Sequence, residues 1–160
     1  MAHIKLDNID IKILTTLQQE GRISNVKLSE KVGISPPPCL RRVRGLEKAG
    51  YINGYHADIN MEKMGYNVTV FAFISLKTQQ EKDLLEFSKL IDSWPMVRDS
   101  YMMAGDTDFI LRIVSQNWEQ YNNFLVSKLV TSPNVANVKS ALGMGTMKKK
   151  QGIPLNTEAN

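Results

Sequence analysis

GISPPPCLRRVRGLEKAG, residues Gly33 to Gly50, decides how the first third of the chain is read. Three consecutive prolines, Pro36 to Pro38, open a helix-period pattern that then places Arg41, Arg42 and Arg44 within four positions. A proline loses nothing in the first turn of a helix, where backbone N–H groups have no intrahelical partner, and its fixed φ suits that turn. The spacing predicts a helix over Pro36–Lys48, capped by Ser35 and ended by Gly50. At about 100° per residue, Cys39, Leu40, Val43 and Leu46 share one side, which is expected to pack inward. Pro37, Pro38, Arg41, Gly45 and Lys48 share the other, with Arg42 and Arg44 on the flanks. Pushed into a DNA groove, such a tip buries no orphaned donors and offers apolar surface to base edges or thymine methyls. The expected partner is double-stranded DNA. Arg41 is expected to read bases, and Arg42, Arg44 and Lys48 to hold phosphates, with Ser35, Pro37 and Pro38 completing the contact set.

The flanking sequence fits that reading. LDNIDIKILTTLQQEG predicts a first helix with Asp7 as N-cap, Ile9, Ile13, Leu14 and Leu17 on one face, and Gly21 as stop. SNVKLSEKVG predicts a second, capped by Ser24 or Asn25 and ended by Gly33. Only Gly33-Ile34-Ser35 separates it from the third, a turn of helix-turn-helix length. YINGYHADIN then predicts two short strands about Asn53-Gly54, so three helices and a hairpin make a winged helix-turn-helix.

Charge and composition agree. From Ser35 to Gly50 there are four basic residues against one acid, so most of the net charge of +4 lies in that stretch. Such a patch suits a polyanion. The single cysteine, Cys39, rules out an internal disulfide and falls on the inward side of the helix. The two histidines, His3 and His56, have no ligand spacing, so neither metal nor cofactor is expected. No apolar run approaches the length of a membrane span and the N-terminus lacks a signal-peptide core, which predicts a cytoplasmic protein.

Beyond residues 60–67, which carry little periodicity and are read as a linker, the pattern changes. VTVFAFISL is a strand, Glu81–Trp94 an amphipathic helix, VRDSYMMA and DFILRIV strands about Gly105-Asp106-Thr107, Trp118–Val130 a second helix, and Val135–Met147 a last strand. The two halves repeat at an offset of 38 residues, which aligns Pro95 with Pro133, Phe71 with Phe109 and Ile91 with Leu129. Two βαβ halves related in this way predict an α+β fold, a ferredoxin-like βαββαβ sheet with both helices on one face. The opposite face does not alternate to polar, since Phe71, Phe73 and Ile110 point there. A second copy of the chain is the simplest cover, so a homodimer is expected.

The N-terminal half, with Asp-x-x-Asp, Gly-Arg-Ile-Ser-Asn-Val and Ser-Pro-x-Pro-Cys-Leu, and the segment MAGDTDFILRIV together resemble the Lrp/AsnC (feast/famine) transcriptional regulators. The resemblance runs from about Leu6 to Leu155. It implies dimers joined through ferredoxin-like (ACT-like, RAM) domains, assembly to octamers or higher, and an amino acid or related small metabolite bound between dimers. Carried over by position, the hairpin supplies Ala104, Gly105, Asp106 and Asp108. Selectivity for the ligand side chain falls to Met102, Trp118, Val130 and Leu142. Thr107 stands where the family often has an aromatic residue, and Trp118 is large where the leucine-type pocket uses an aliphatic one. With four methionines nearby (Met102, Met103, Met144 and Met147), these departures point to an amino-acid specificity other than leucine.

On this reading residues 1–59 form the DNA-binding domain, 60–67 the linker and 68–147 the dimerisation and effector-binding domain. Residues 148–160 form a partly ordered tail, touching DNA phosphates or a neighbouring dimer. An enzyme is not expected, because Asp106 and Asp108 lack a nucleophile, a histidine or a metal set beside them. The alternative is an effector-independent architectural DNA-binding protein with a degenerate pocket. A bacterial or archaeal, nucleoid-associated protein fits either.

Overall fold

A computed structural model describes residues 5–150 and 152–155; the ends of the expected first domain and tail lie outside the described residues. The chain divides into two units, one running to Asp58 and rejoined from Lys148 onward, the other Ile59–Met147.

In the first unit α1 spans Asn8–Gln19. Its N-cap Asp7 accepts the N–H groups of Ile9 and Asp10 on Oδ1, both at 2.9 Å, while Asp10 Oδ2 accepts the Asp7 N–H at 3.1 Å. This reciprocal box satisfies three donors that would otherwise be orphaned. Helix α2, Asn25–Val32, starts at Ser24, whose Oγ accepts the Lys27 N–H at 3.3 Å. Helix α3, Pro36–Lys48, follows after the expected short turn. Ser35 occupies its N-cap position without a side-chain cap bond, contrary to expectation. The prolines explain this. A cap oxygen accepts from the second or third helical N–H, and Pro37 and Pro38 have none.

Ile13, Leu14, Leu28, Val32, Cys39 and Leu46 form the core of the three helices. Each aliphatic side chain buried there contributes about 1.5–3 kcal/mol. Leu40 departs from the expected inward set: it is 38% exposed, because about 100° of helix rotation carries it off the Cys39 side. The wing also differs, since residues 52–60 form no strand pair. An isolated two-stranded hairpin is marginal in water, and among the described residues no further strand of this unit supports it. Ile52 still packs against the helical core, and Tyr55 Oη donates to Glu47 Oε1 at 3.0 Å.

Lys149 and residues 152–155 are held on the first unit. Gln18 of α1 holds Ile153 by two reciprocal bonds: the Ile153 N–H donates to Gln18 Oε1 at 2.8 Å and Gln18 Nε2 donates to the Ile153 carbonyl at 3.1 Å. Leu155 packs on the helical core, and Lys149 pairs with Asp58 at 2.6 Å. Gly152 makes the close approach possible. Its φ is +74°, and a Cβ there would stand 1.9 Å from Gln18 Oε1.

The second unit is a four-stranded antiparallel sheet in the order β2-β3-β1-β4, with β1 Val68–Leu76, β2 Val97–Met102, β3 Phe109–Ser115 and β4 Val135–Leu142. Helix α4, Glu81–Asp92, and helix α5, Trp118–Phe124, cover one face. Val70, Ala72 and Ile74 meet Phe87, Ile91, Trp94, Tyr121 and Phe124 in that core, as the repeat predicts. Helix α4 stops two residues short of the expected Trp94 and β2 two short of Ala104, and two boundaries differ more widely. Helix α5 passes at Leu125 into a π turn, with the Val130 N–H donating to the Leu125 carbonyl at 2.9 Å, and this sets Leu129 fully into the core. Strand β4 ends at Leu142 rather than Met147, because its partner β1 runs out: the Gly143 N–H donates to Thr69 at 2.8 Å, one residue from the start of β1.

The other face is open. Register lines up Phe73 with Ile110 and Ile110 with Tyr101, a row of large apolar side chains across three strands. Phe71 beside it is 38% exposed and Tyr101 60%.

Candidate nucleic-acid interface and effector site

Helix α3 presents Pro37, Leu40, Arg41, Arg44 and Lys48 to solvent, with Pro38 half-buried beside them. Arg41, Arg44 and Lys48 have no carboxylate in ion-pair reach among the described residues. They form a free cationic ridge behind a rigid apolar tip. Leu40 was missed by sequence reasoning, although its helical angle, about 40° from that of Arg44 and about 100° from that of Cys39, places it at the edge of this face.

Arg42 behaves differently. Its guanidinium NH1 donates to Asp7 Oδ2 at 2.7 Å and to Asp10 Oδ1 at 2.8 Å, tying the middle of α3 to the start of α1. The N–H of Asp10, together with the adjacent Arg42 guanidinium, holds the Asp7 carboxyl below the usual carboxylate range. Asp10 and then Asp7 hold the Arg42 proton more firmly still. A second fastening lies at the helix tip, where Asn25 Nδ2 on α2 donates to the Pro36 carbonyl at 2.8 Å. Cys39 is fully buried, and burial pushes its thiol pKa up, so it serves packing. Burial, then the bond to Glu47, pushes the Tyr55 phenol up to about 12.

At the other candidate site Gly105 turns the β2–β3 hairpin at φ +139°, a conformation side chains resist. The two aspartates beside it have different lives. Asp108 is buried, its Oδ2 accepting the Leu76 N–H at 2.7 Å, its own N–H donating to Ile74 at 2.9 Å and its carbonyl accepting Met103 N–H at 2.8 Å. It locks the hairpin to β1. Asp106 is exposed, and its carbonyl accepts the Ser75 hydroxyl at 3.2 Å.

Asp106 and Thr107 line a cavity of about 210 Å³ with Phe73, Ser75, Asn137 and Lys139. Strand pairing builds it: Ser75 faces Asn137 and Phe73 faces Lys139 across β1 and β4, so all four side chains stand on the open face. A carboxylate and an ammonium at one small cavity are complementary to a zwitterion. Sequence reasoning missed Ser75, Asn137 and Lys139, because only the register brings them to the hairpin. Met102, Trp118, Val130 and Leu142 do not line this cavity. They are 61%, 54%, 53% and 51% exposed. Trp118 leans on Tyr121, with ring centroids 5.2 Å apart.

A three-helix unit with a free cationic ridge on α3, joined to a sheet unit with a polar cavity, fits a DNA-binding regulator with a ligand-binding domain. Residues 6–53 match the family model described as winged helix-turn-helix DNA-binding, and residues 69–153 match the Lrp/AsnC ligand binding domain. The chain belongs to the Lrp/AsnC family of transcriptional regulators, and it is not an enzyme. It is 43% identical over 148 residues to a leucine-responsive regulatory protein of Rhizobium meliloti, covering 92% of this chain and 95% of that protein. It is 39% identical over 151 residues to the Bkd operon transcriptional regulator of Pseudomonas aeruginosa, covering 94% and 99%. A solved transcriptional regulator from Neisseria meningitidis in complex with L-Met superposes with a TM-score of 0.90 at 33% identity, covering 95% of this chain and 98% of that one. Among the described residues no helix is long and apolar enough to cross a membrane.

Proposed function

We propose that this regulator binds double-stranded DNA as a homodimer and responds to an amino acid or related small metabolite held between dimers. The cytoplasm, on the nucleoid, is its proposed place of work. Pro37, Pro38, Leu40 and Arg41 meet the base edges, Arg44 and Lys48 hold phosphates, and Ser35 lies at the tip. The dimer forms through the open sheet face, where Phe71, Ile110 and Tyr101 need cover, and leaves the hairpin end of that face, with the cavity beside Phe73, at its edge. Dimers then assemble to octamers or higher, bringing a neighbour over Met102, Trp118, Val130 and Leu142.

The observation that carries the effector reading is the polar cavity at the hairpin. Asp106 receives the ligand's α-ammonium and Lys139 its carboxylate. Ala104 and Gly105 supply open backbone, and Asp108 holds the loop in shape. Its volume of about 210 Å³ suits a single amino acid. The complex of the Neisseria regulator with L-Met, together with Trp118 and Thr107 here, favours methionine or a broad apolar set over leucine alone.

Thermal-shift measurements across the twenty amino acids test this. Stabilisation by L-methionine and other apolar amino acids is expected; a shift with leucine only would refute that specificity. Asp106→Ala removes the carboxylate that receives the α-ammonium and should abolish the shift while leaving DNA affinity without ligand unchanged. Four large apolar residues left ungathered in the single chain also suit the second reading, an architectural DNA-binding protein without effector. No shift with any amino acid supports it.

A further inference from the structure

We infer that Arg42 is a positioning residue, which sets the presentation of the reading helix from α1 and does not bind DNA phosphate. The inference rests on α3 being the DNA-reading helix. Of the four cations on α3, Arg42 has two internal carboxylates on its guanidinium, whereas Arg41, Arg44 and Lys48 have none among the described residues. The network is closed: each Oδ of Asp7 and Asp10 has a donor, from the α1 backbone or from Arg42.

Three physical points favour a brace over a phosphate ligand. Two carboxylates around one guanidinium leave the cluster net negative, so it repels a phosphate rather than attracting it. Asp10 is only 7% exposed, and turning Arg42 away would leave its carboxylate without its cation. Finally, the bonded groups sit on different helices at the points that fix their crossing, the first turn of α1 and the middle of α3. Asn25 fastens the tip of α3 to α2, so the helix is mounted at two places. A base-reading side chain tolerates little error in such a mount, because major-groove hydrogen bonds are directional.

Fluorescence-anisotropy titrations over a salt series test the assignment on two duplexes: one selected by the wild-type protein from random sequence, and one random duplex of equal length. A phosphate ligand contributes about one unit to the slope of log affinity against log salt, on any sequence. For Arg42→Ala we expect about five- to tenfold weaker binding to the selected duplex, little change on the random one, and an unchanged salt slope. Asp10→Asn should weaken selected binding likewise, with the double variant little worse than either single one. The sign is diagnostic, because removing a negative charge beside DNA would otherwise tighten binding. Arg44→Ala is the control that should flatten the slope on both duplexes.

Should Arg42→Ala fail to fold, Asp7→Asn carries the test. Asparagine caps α1 as well as aspartate does and removes only the charge facing Arg42. A flatter slope with Arg42→Ala on both duplexes, or tighter binding with Asp10→Asn or Asp7→Asn, overturns the assignment. If Arg41→Ala and Arg44→Ala also change nothing, α3 does not read DNA and the positioning role falls with that reading.

Discussion

The two candidate sites differ in how much of each a single chain completes. On α3 the tip, the cationic ridge and the bonds that hold them all come from one three-helix unit. At the Gly105 hairpin the polar cavity is built, but four large apolar residues assigned to the same function stand about half exposed or more. On the proposed function, the DNA site is completed within one chain, whereas the effector site is completed by the assembly.

That contrast is open to attack, and the largest effect should come from the sheet. Phe71→Asp puts a charge on the open face, so we expect monomers by sedimentation. Losing the linkage between two half-sites should then weaken operator binding by about a hundredfold or more. Unchanged dimers would mean that another surface joins the copies. Next in size, Arg41→Ala should cost about 1–3 kcal/mol in gel-shift titrations on a selected site, and relax specificity there. It should leave self-association untouched, which separates the two sites cleanly.

Smaller effects are expected from the returning segment. Gly152→Val drives a side chain into Gln18. It should lower the melting temperature by a few degrees, consistent with a cost of about 1–3 kcal/mol. Gln18→Ala should cost about 1 kcal/mol for the lost pair of bonds. Hydrogen exchange at the Ile153 amide should rise in both variants. The smallest effect is acid sensitivity at α1. Because the folded-state pKa of Asp7 is depressed, its contribution is complete above the unfolded value of about 3.9 and is lost as pH falls through the folded one. Asp7→Asn should flatten that acid limb slightly, since the side chain is half exposed and screened.

The helices were legible because their signals are local: Asp7 and Ser24 before apolar periods, Gly33 and Gly50 after them. The repeat at Pro95 and Pro133 disclosed the sheet for the same reason. What escaped the sequence depends on distant partners. Nothing in the α3 period says that Arg42 meets Asp7 and Asp10, since a helical wheel gives an angle but not the charge across from it. The pairing of Ser75 with Asn137, which builds the cavity, is a register, fixed only when β1 and β4 meet. Strand β4 stops at Leu142 because β1 does, and the 52–60 hairpin fails for want of a third strand. The path of the returning segment is not written locally either, because its partners are remote: Gln18 lies more than 130 positions from Ile153, and Asp58 more than 90 from Lys149.

The most direct test is sedimentation velocity on the purified protein, with and without a pooled set of amino acids, followed by deconvolution of the pool. A protein that is dimeric or larger, and changes assembly size with a component of the pool, is the predicted result. A monomer that stays monomeric while still binding DNA and ligand would contradict the claim that the effector site belongs to the assembly.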